Sequence, residues 1–309
     1  MSGNGKNGQN GVNGADQFVG AGSLGELTGA VVVQPDGHLS TLTSPHRTAS
    51  AGTAVATQGH PRRQPPPPRL TLSVVIPTWN EAENIEHVLR SLEAFDDIVL
   101  VDGLSHDDTV ARARRVRPDV RVLERPPRGK GDALRAGFAA ATGDVIVIMD
   151  ADGSMDPGEV EVFVSMISVG FDLVKGSRLA CGGASHDLTT VRWLGNKALC
   201  GLANTLFHTA WTDLCYGYLA FRRACLPHMA LDADGFEIES QILANSALAG
   251  LRIAEIPSVE MSRISGESHL DARRDGTRIL KTMLAARFAP RARRVATSLR
   301  PVPSIESRG

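Results

Sequence analysis

At 309 residues, 42% of them apolar and 22% charged, the chain has the composition of a globular protein, and its net charge of −1 gives no bulk attraction to nucleic acid. No stretch reaches the roughly 18 consecutive apolar residues of a membrane-spanning helix, and the polar amino terminus does not read as a secretory signal, so the expectation is a cytoplasmic location. The four cysteines show no Cys-x-x-Cys or zinc-type spacing, and the nine histidines form no His-Glu-x-x-His pattern, which points to buried thiols in a reducing compartment.

Residues 1–69 are rich in Gly, Asn, Ser and Thr and close on Pro65-Pro-Pro-Pro68. Such a segment buries too little apolar surface to offset its ordering entropy, so a disordered leader is expected, with Val31-Val-Val33 its one candidate strand. From Leu70 strand and helix patterns alternate. A β-branched strand at 72–76 ends at Pro77, and a helix at 81–95 carries Ile85, Val88, Leu89 and Leu92 on one face. Strands at 98–101 and 120–123 flank a helix at 109–116. A helix at 130–141 then leads into the apolar strand 145–149. Beyond it come a helix at 157–169, a strand at 172–175, helices at 193–207 and 238–249, and a strand at 252–256. Strands alternating with helices imply an α/β fold, a mostly parallel sheet covered on both faces.

The strand at 145–149 delivers Asp150 and Asp152 at its carboxyl end, with Asp156 close behind. Residues two apart in a strand share a side, so both carboxylates can reach one Mg²⁺ or Mn²⁺ ion. Such hard cations take one or two carboxylates and leave their other positions to water and phosphate oxygens. Open α/β sheets bind ligands outside the carboxyl ends of their strands. Thr78-Trp-Asn-Glu81, Asp102-Gly-Leu-Ser-His-Asp-Asp108 and Gly176-Ser-Arg178 also each follow a strand, and one parallel sheet would gather all four clusters along one rim.

Across residues 70–270 the chain resembles the family 2 glycosyltransferases, in particular the branch of dolichyl- and polyprenyl-phosphate sugar synthases. The resemblance rests on Val74-Val-Ile-Pro-Thr-Trp-Asn-Glu81, Val101-Asp102 through Asp107-Asp-Thr109, Arg128-Gly-Lys-Gly-Asp-Ala-Leu134 and Asp150-Ala-Asp152. It continues through Gly176-Ser-Arg178, Thr212-Asp213 to Gly217, Arg222, and Arg263-Ile-Ser-Gly-Glu-Ser-His-Leu270. It implies a GT-A fold, a UDP- or GDP-hexose donor, Mg²⁺ or Mn²⁺, and inverting transfer. Carried over by position, Pro77, Trp79 and Glu81 cradle the base, Asp102 contacts base or ribose, and Lys130 lies near the donor. Asp150 and Asp152 hold metal and diphosphate. Arg178 and Arg263 serve the phosphates, and Ser268 lies beside Arg263 in its motif.

A phosphate acceptor is already ionised and requires no general base, whereas a hydroxyl acceptor would use one. The candidates are Asp213, first by its match to the family's Thr-Asp motif, then Glu237 and Glu239, which also suit a helix amino-terminal turn. The chain departs from the family at Gly103, where a second aspartate is common. It departs again at Asn196-Lys197 and Cys200-Gly201, where the acceptor helix of the lipid-phosphate synthases carries two further basic groups. Arg192 and Lys197 are the residues able to replace them.

Between Arg273 and Arg300 nine Lys and Arg face a single acid, Asp275, with Ile279, Leu280, Met283, Leu284 and Phe288 near helical spacing. Such a helix suits either the surface of an anionic membrane or packing on the catalytic domain. The expected organisation is a leader at 1–69, a GT-A domain at 70–272, and a basic amphipathic helix with a loose tail at 273–309. The expected acceptor is polyprenyl phosphate, with a soluble small molecule or glycan as the alternative. A sugar-1-phosphate nucleotidyltransferase would require a Gly-rich, Arg-containing loop where Pro77-Thr-Trp-Asn80 stands. A dinucleotide-dependent oxidoreductase would require Gly-x-Gly-x-x-Gly there. The intact Asp150 and Asp152 argue against a non-catalytic nucleotide-sugar-binding protein, whose mark would be metal-dependent nucleotide binding without transfer.

Overall fold

The computed structural model describes residues 31–33, 39–41, 69–266 and 271–289. Two short antiparallel strands come first, β1 (Val31–Val33) and β2 (Leu39–Thr41). The first half of the main body runs β3 (Leu72–Thr78), α1 (Ile85–Ser91), β4 (Asp97–Asp102), α2 (Thr109–Val116), β5 (Arg121–Glu124), α3 (Lys130–Ala140) and β6 (Val145–Ile148). The second half runs α4 (Glu159–Ser168), β7 (Leu173–Ser177), β8 (Ala184–Ser185), α5 (Thr190–Phe207), β9 (Leu219–Arg222), α6 (Glu237–Leu248), β10 (Ile253–Pro257), β11 (Val259–Glu260) and α7 (Ala272–Phe288).

Nine strands form one sheet in the order β2-β1-β10-β7-β9-β6-β3-β4-β5. β3 pairs parallel with β4 and β6, β4 with β5, and β7 with β10. β9, absent from the sequence expectation, is inserted antiparallel between β6 and β7. Two antiparallel steps restore direction, so β3, β4, β6 and β7 all end on one rim, and the chain entering β9 crosses that rim as well. β1, between the edge strand β2 and β10, pairs antiparallel with β10, Val32 opposite Ala254. The other expectations for residues 1–68 and 290–309 fall outside the described residues.

Alternation along the strands divides the core in two. Val75, Ile146, Ile148, Leu219 and Phe221 pack with Leu134 and Phe138 of α3 and Ile238 and Ile242 of α6. Val74, Ile76, Val145 and Val147 pack with Ile85 and Leu89 of α1 and Phe163 of α4. With both faces covered, the strand interiors run largely apolar, as the unbroken Val-Ile-Val-Ile of β6 illustrates.

Ile279 and Met283 of α7 are buried against α5 and α6, while Leu284 and Phe288 of the same stripe are exposed, so the helix packs on the domain through part of its apolar face. The side chain of Asp271 caps the helix by accepting from the backbone N–H groups of Arg273 and Arg274 at 3.0 and 2.8 Å. Among the described residues no helix is long and apolar enough to cross a membrane.

Candidate active site

A cavity of about 610 Å³ opens where β3, β4 and β6 end. At one end stand Pro77, Trp79, Glu81, Asp102 and Gly103; at the other stand Lys130, Asp150, Asp152 and Arg263. Eight residues expected from sequence to serve the donor thus line one space.

The first end is built from two interlocked loops. Asp102, buried at the tip of β4, accepts from the N–H and hydroxyl of Ser105 at 2.8 and 2.6 Å. The Ser105 hydroxyl in turn accepts from the Asn80 N–H at 2.8 Å, and Asn80 Oδ1 accepts from the His106 N–H at 2.9 Å. Both Asn80 and Leu104 sit at φ 55°, the left-handed turn conformation that this stitching enforces. A Cβ at Gly103 would lie 3.3 Å from Trp79 Cδ1, so the absence of the family's second aspartate leaves space for the indole. Half-buried Glu81 accepts from Asn84 Nδ2 at 2.6 Å. Burial raises its carboxyl above the ordinary value; the Asn84 bond opposes this, and the charge of Asp152 adds to it.

At the other end, Asp150 Oδ1 lies 2.7 Å from Lys130 Nζ, and Asp152 Oδ2 lies 3.1 Å from an Arg263 guanidinium nitrogen. Asp152 is fixed further by the Ser154 N–H, which donates to its Oδ1 at 3.0 Å, while its carbonyl accepts from the Ile264 N–H at 3.1 Å. Lys130 opens α3 between Gly129 and Gly131 because the 233–235 backbone lies directly on that turn. A Cβ at Gly129 would stand 2.3 Å from the Asp234 carbonyl oxygen, and one at Gly131 2.2 Å from that of Ala233. This close approach brings α6 within reach, and Lys130 Nζ also donates to Glu239 Oε1 at 2.6 Å. Burial acts to lower the Lys130 pKa, but Asp150 and Glu239 outweigh it and raise it above the usual lysine value. Lys130 is therefore a cation throughout the physiological range.

Among the described residues no three His, Cys, Asp or Glu side chains converge as a closed metal cage. Two carboxylates at an open cavity suit a cation that draws its remaining ligands from water and phosphate. Each is paired with a cation, Asp150 with Lys130 and Asp152 with Arg263, and both are hard oxygen donors. The donor set fits Mg²⁺ or Mn²⁺.

Arg178 and Asp213 are placed differently from the sequence expectation. Asp213 is fully buried below the rim and Arg178 nearly so, and neither lines the cavity. Arg178 grips Asp213 with both forks, Nε to Oδ2 at 2.8 Å and a terminal nitrogen to Oδ1 at 3.1 Å. Asn196 Nδ2 donates to the same carboxylate at 2.8 Å, and Glu260 lies 3.2 Å from Arg178 on its other side. Burial would raise the Asp213 pKa, but the Arg178 hydrogen bonds and the Lys175 charge hold it below the ordinary carboxylate range. A carboxylate with its lone pairs so occupied is a buttress for Arg178, not an exposed proton acceptor. Asn196, one of the two departures on the acceptor helix, is the partner that completes this buried group.

Lys197 is exposed on α5, 6.0 Å from the centre of the Trp193 ring. Glu237 sits in the first turn of α6 and accepts from the Gly235 N–H at 3.2 Å. Asp156 caps the turn into α4 by accepting from the Gly158 N–H at 2.8 Å. Ser268 lies outside the described residues. Arg125, Phe236 and Arg274 line the cavity without having been singled out from sequence. Arg274 comes from the first turn of α7, so the basic C-terminal helix contributes to the site wall as well as packing on the domain. Asp187, 3.3 Å from Arg263 Nε, was also missed. None of these four residues stands in a motif, and only the fold brings them here.

Comparison with known proteins agrees with this architecture. The profile described as "Glycosyl transferase family 2" matches residues 73–227. The chain is 31% identical to the dolichyl-phosphate hexose transferase of Haloferax volcanii over 72% of its own length and 96% of that protein. It is 33% identical to the undecaprenyl-phosphate mannosyltransferase of Micrococcus luteus over 63% of its own length and 86% of that protein. Among solved structures it is similar to the Mycobacterium tuberculosis glucosyl-3-phosphoglycerate synthase in complex with Mn²⁺, UDP-glucose and glycerol 3-phosphate. That match has 25% identity and a TM-score of 0.58, covering 72% of this chain and 81% of that one. The chain belongs to glycosyl transferase family 2, has the GT-A fold, and is a glycosyltransferase resembling the polyprenyl-phosphate sugar synthases.

Proposed function

We propose that this family 2 glycosyltransferase moves a hexose from a UDP- or GDP-sugar to polyprenyl phosphate, with inversion at the anomeric carbon and dependence on Mg²⁺ or Mn²⁺. The observation that carries the acceptor class is the state of the cavity acids. Glu81 is bonded to Asn84, Asp102 to Ser105, Asp132 to Arg135, Asp150 to Lys130 and Asp152 to Arg263. Asp213, the first base candidate, is locked to Arg178. Each described acid of the cavity is engaged in this way, which suits a phosphate oxygen as nucleophile, since it arrives ionised. Relatives named for dolichyl- and undecaprenyl-phosphate support the same acceptor.

In this reading Pro77 and Trp79 hold the base, with Glu81 beside them, and Asp102 orders the loop at the ribose. Asp150 and Asp152 would hold the divalent ion, which supplies positive charge at the leaving diphosphate. Lys130 and Arg263 add fixed cations on the same wall, where charge builds as the glycosidic bond breaks. The acceptor oxygen attacks the anomeric carbon from the opposite side. Arg178, held by Asp213 and Glu260, braces the loop after β7.

A soluble phosphorylated acceptor is the second reading. It is favoured by the solved neighbour holding glycerol 3-phosphate and by Asn196 and Gly201, which stand where the resemblance places basic groups of the lipid-phosphate synthases. The test is incubation of the full chain with labelled UDP-glucose or GDP-mannose, MnCl₂ or MgCl₂, and polyprenyl phosphate. Label in the organic extract, abolished by Asp152→Asn in a folded variant, is the expected result. Full activity of Asp152→Asn would overturn the metal assignment.

A further inference from the structure

Lys130 and Arg263 share an arrangement that the transfer reaction alone does not require. Each is held by two carboxylates, one belonging to the Asp150/Asp152 pair and one standing outside it. Lys130 Nζ lies 2.7 Å from Asp150 and 2.6 Å from Glu239. Arg263 lies 3.1 Å from Asp152 and 3.3 Å from Asp187. The two outer anchors are built in by separate means. Glu239 is buried in the first turn of α6 and fits only because residue 217 has no side chain. A Cβ there would fall 2.2 Å from Glu239 Oε1 and 3.0 Å from Lys130 Nζ. Asp187 lies between β8 and α5, where Arg192 also approaches it at 3.8 Å. β8 and β11 pair in parallel, so residues 186–189 and 261–264 leave that small sheet together, which brings Asp187 to Arg263.

We infer that Lys130 and Arg263 are resident counter-ions that occupy Asp150 and Asp152 until a divalent cation enters, and that Glu239 and Asp187 are positioning residues that retain them at the cavity wall afterwards. The inference rests on the metal-dependent reading given above. Without positive charge nearby, two carboxylates converging in a partly buried rim would repel each other, and the ammonium and guanidinium relieve this. A divalent ion must displace both contacts, so metal binding to the nucleotide-free protein is held weak. Once released from the aspartates, the cations stay on the wall through their outer anchors and meet the donor diphosphate there. Metal and nucleotide binding are thereby coupled through two side chains.

The experiment measures Mn²⁺ binding to the full chain from the free Mn²⁺ paramagnetic resonance signal, first with MnCl₂ alone and then with UDP or GDP. Losing one charge-assisted contact that must be broken predicts about a tenfold gain in nucleotide-free Mn²⁺ affinity for Lys130→Met and for Arg263→Gln. The same variants should bind the nucleotide more weakly at saturating Mn²⁺. Asp187→Asn should act in the opposite sense on the nucleotide-free protein, because Arg263 then leans on Asp152 alone. Melting curves identify any variant that fails to fold, and the partly exposed Arg263 keeps the test available if buried Lys130 does not tolerate substitution. Nucleotide-free Mn²⁺ affinity unchanged or weakened in the folded cation variants, with wild type binding Mn²⁺ and nucleotide together, would overturn this inference and leave the proposed function standing. Absence of Mn²⁺ binding in wild type even with nucleotide would overturn both.

Discussion

Asp213→Asn separates two roles for this residue, because they predict different losses. The carboxylate is fully buried and takes two guanidinium bonds at 2.8 and 3.1 Å. Substitution leaves the Arg178 charge in the interior with Glu260 at 3.2 Å as its remaining carboxylate and Tyr216 beneath it, 4.8 Å from the ring centre. Removing one partner of a buried pair costs about 3–5 kcal/mol, and the surviving Glu260 contact places this case near the lower figure, about 3 kcal/mol. In a domain of this size each kcal/mol lowers Tm by about 2–4 °C, so a fall of about 6–12 °C is expected by calorimetry. Replacing both partners, as in Asp213→Leu with Arg178→Met, should recover part of that stability, since the Arg178 charge is no longer buried without Asp213, while Glu260 keeps only the Ser185 hydroxyl among the described residues. Transfer should fall with the loss of structure, and donor binding with it. A variant melting within about 2 °C of wild type while transfer drops by about a hundredfold or more would refute the buttress and restore Asp213 as a general base.

Gly217→Ala should push Glu239 and Lys130 apart, costing about 1–3 kcal/mol in thermal unfolding and weakening UDP or GDP binding by titration calorimetry; unchanged binding would contradict the packing described. Gly137→Ala, whose Cβ would fall 2.3 Å from Val75 Cγ1, should destabilise the α3–β3 contact by a similar amount, about 1–3 kcal/mol, without changing nucleotide affinity. Burial would raise the Asp97 pKa, but bonds from Ser73, Thr142 and Arg121 bring it below the ordinary value. Its contribution is thus complete above the unfolded carboxylate value of about 3.9 and is lost as pH falls through the lower folded value. Melting temperature against pH should show an acid limb that Asp97→Asn makes shallower, and an identical limb would exclude the linkage. Removal of residues 1–69 takes away β1 and β2, which pair at the β10 side of the sheet, away from β3, β4 and β6. Transfer should survive this truncation, and a large loss of activity would show that the leader does more than edge the sheet.

Much of the site was legible because it depends on strand ends. The apolar runs of β3, β4 and β6 fix both direction and burial, so the polar clusters that follow them had to meet on one rim. β9 escaped because four residues, Leu219–Arg222, carry too little pattern to mark a strand, and nothing local specifies an antiparallel insertion. Its entry into the sheet is what draws Asp213 and Gly217 to the rim. The ionic partners were illegible for a different reason. Lys130 and Glu239 are 109 residues apart, and composition gives no sign of which acid a buried lysine will meet. The motif match brought Arg178 and Asp213 close to the site but gave no sign that they bury each other below the rim. The C-terminal helix had an amphipathic pattern compatible with two partners, and which of its apolar residues pack against α5 and α6 could not be read from their spacing.

The central claim is that a phosphate on a polyprenyl chain receives the sugar. Offering labelled UDP-glucose or GDP-mannose with MnCl₂ and equal concentrations of polyprenyl phosphate and glycerol 3-phosphate, then counting label in the organic and aqueous products, tests it directly. The account predicts metal-dependent label in the lipid product, absent with Asp152→Asn. Label confined to the glycerol 3-phosphate product would contradict it.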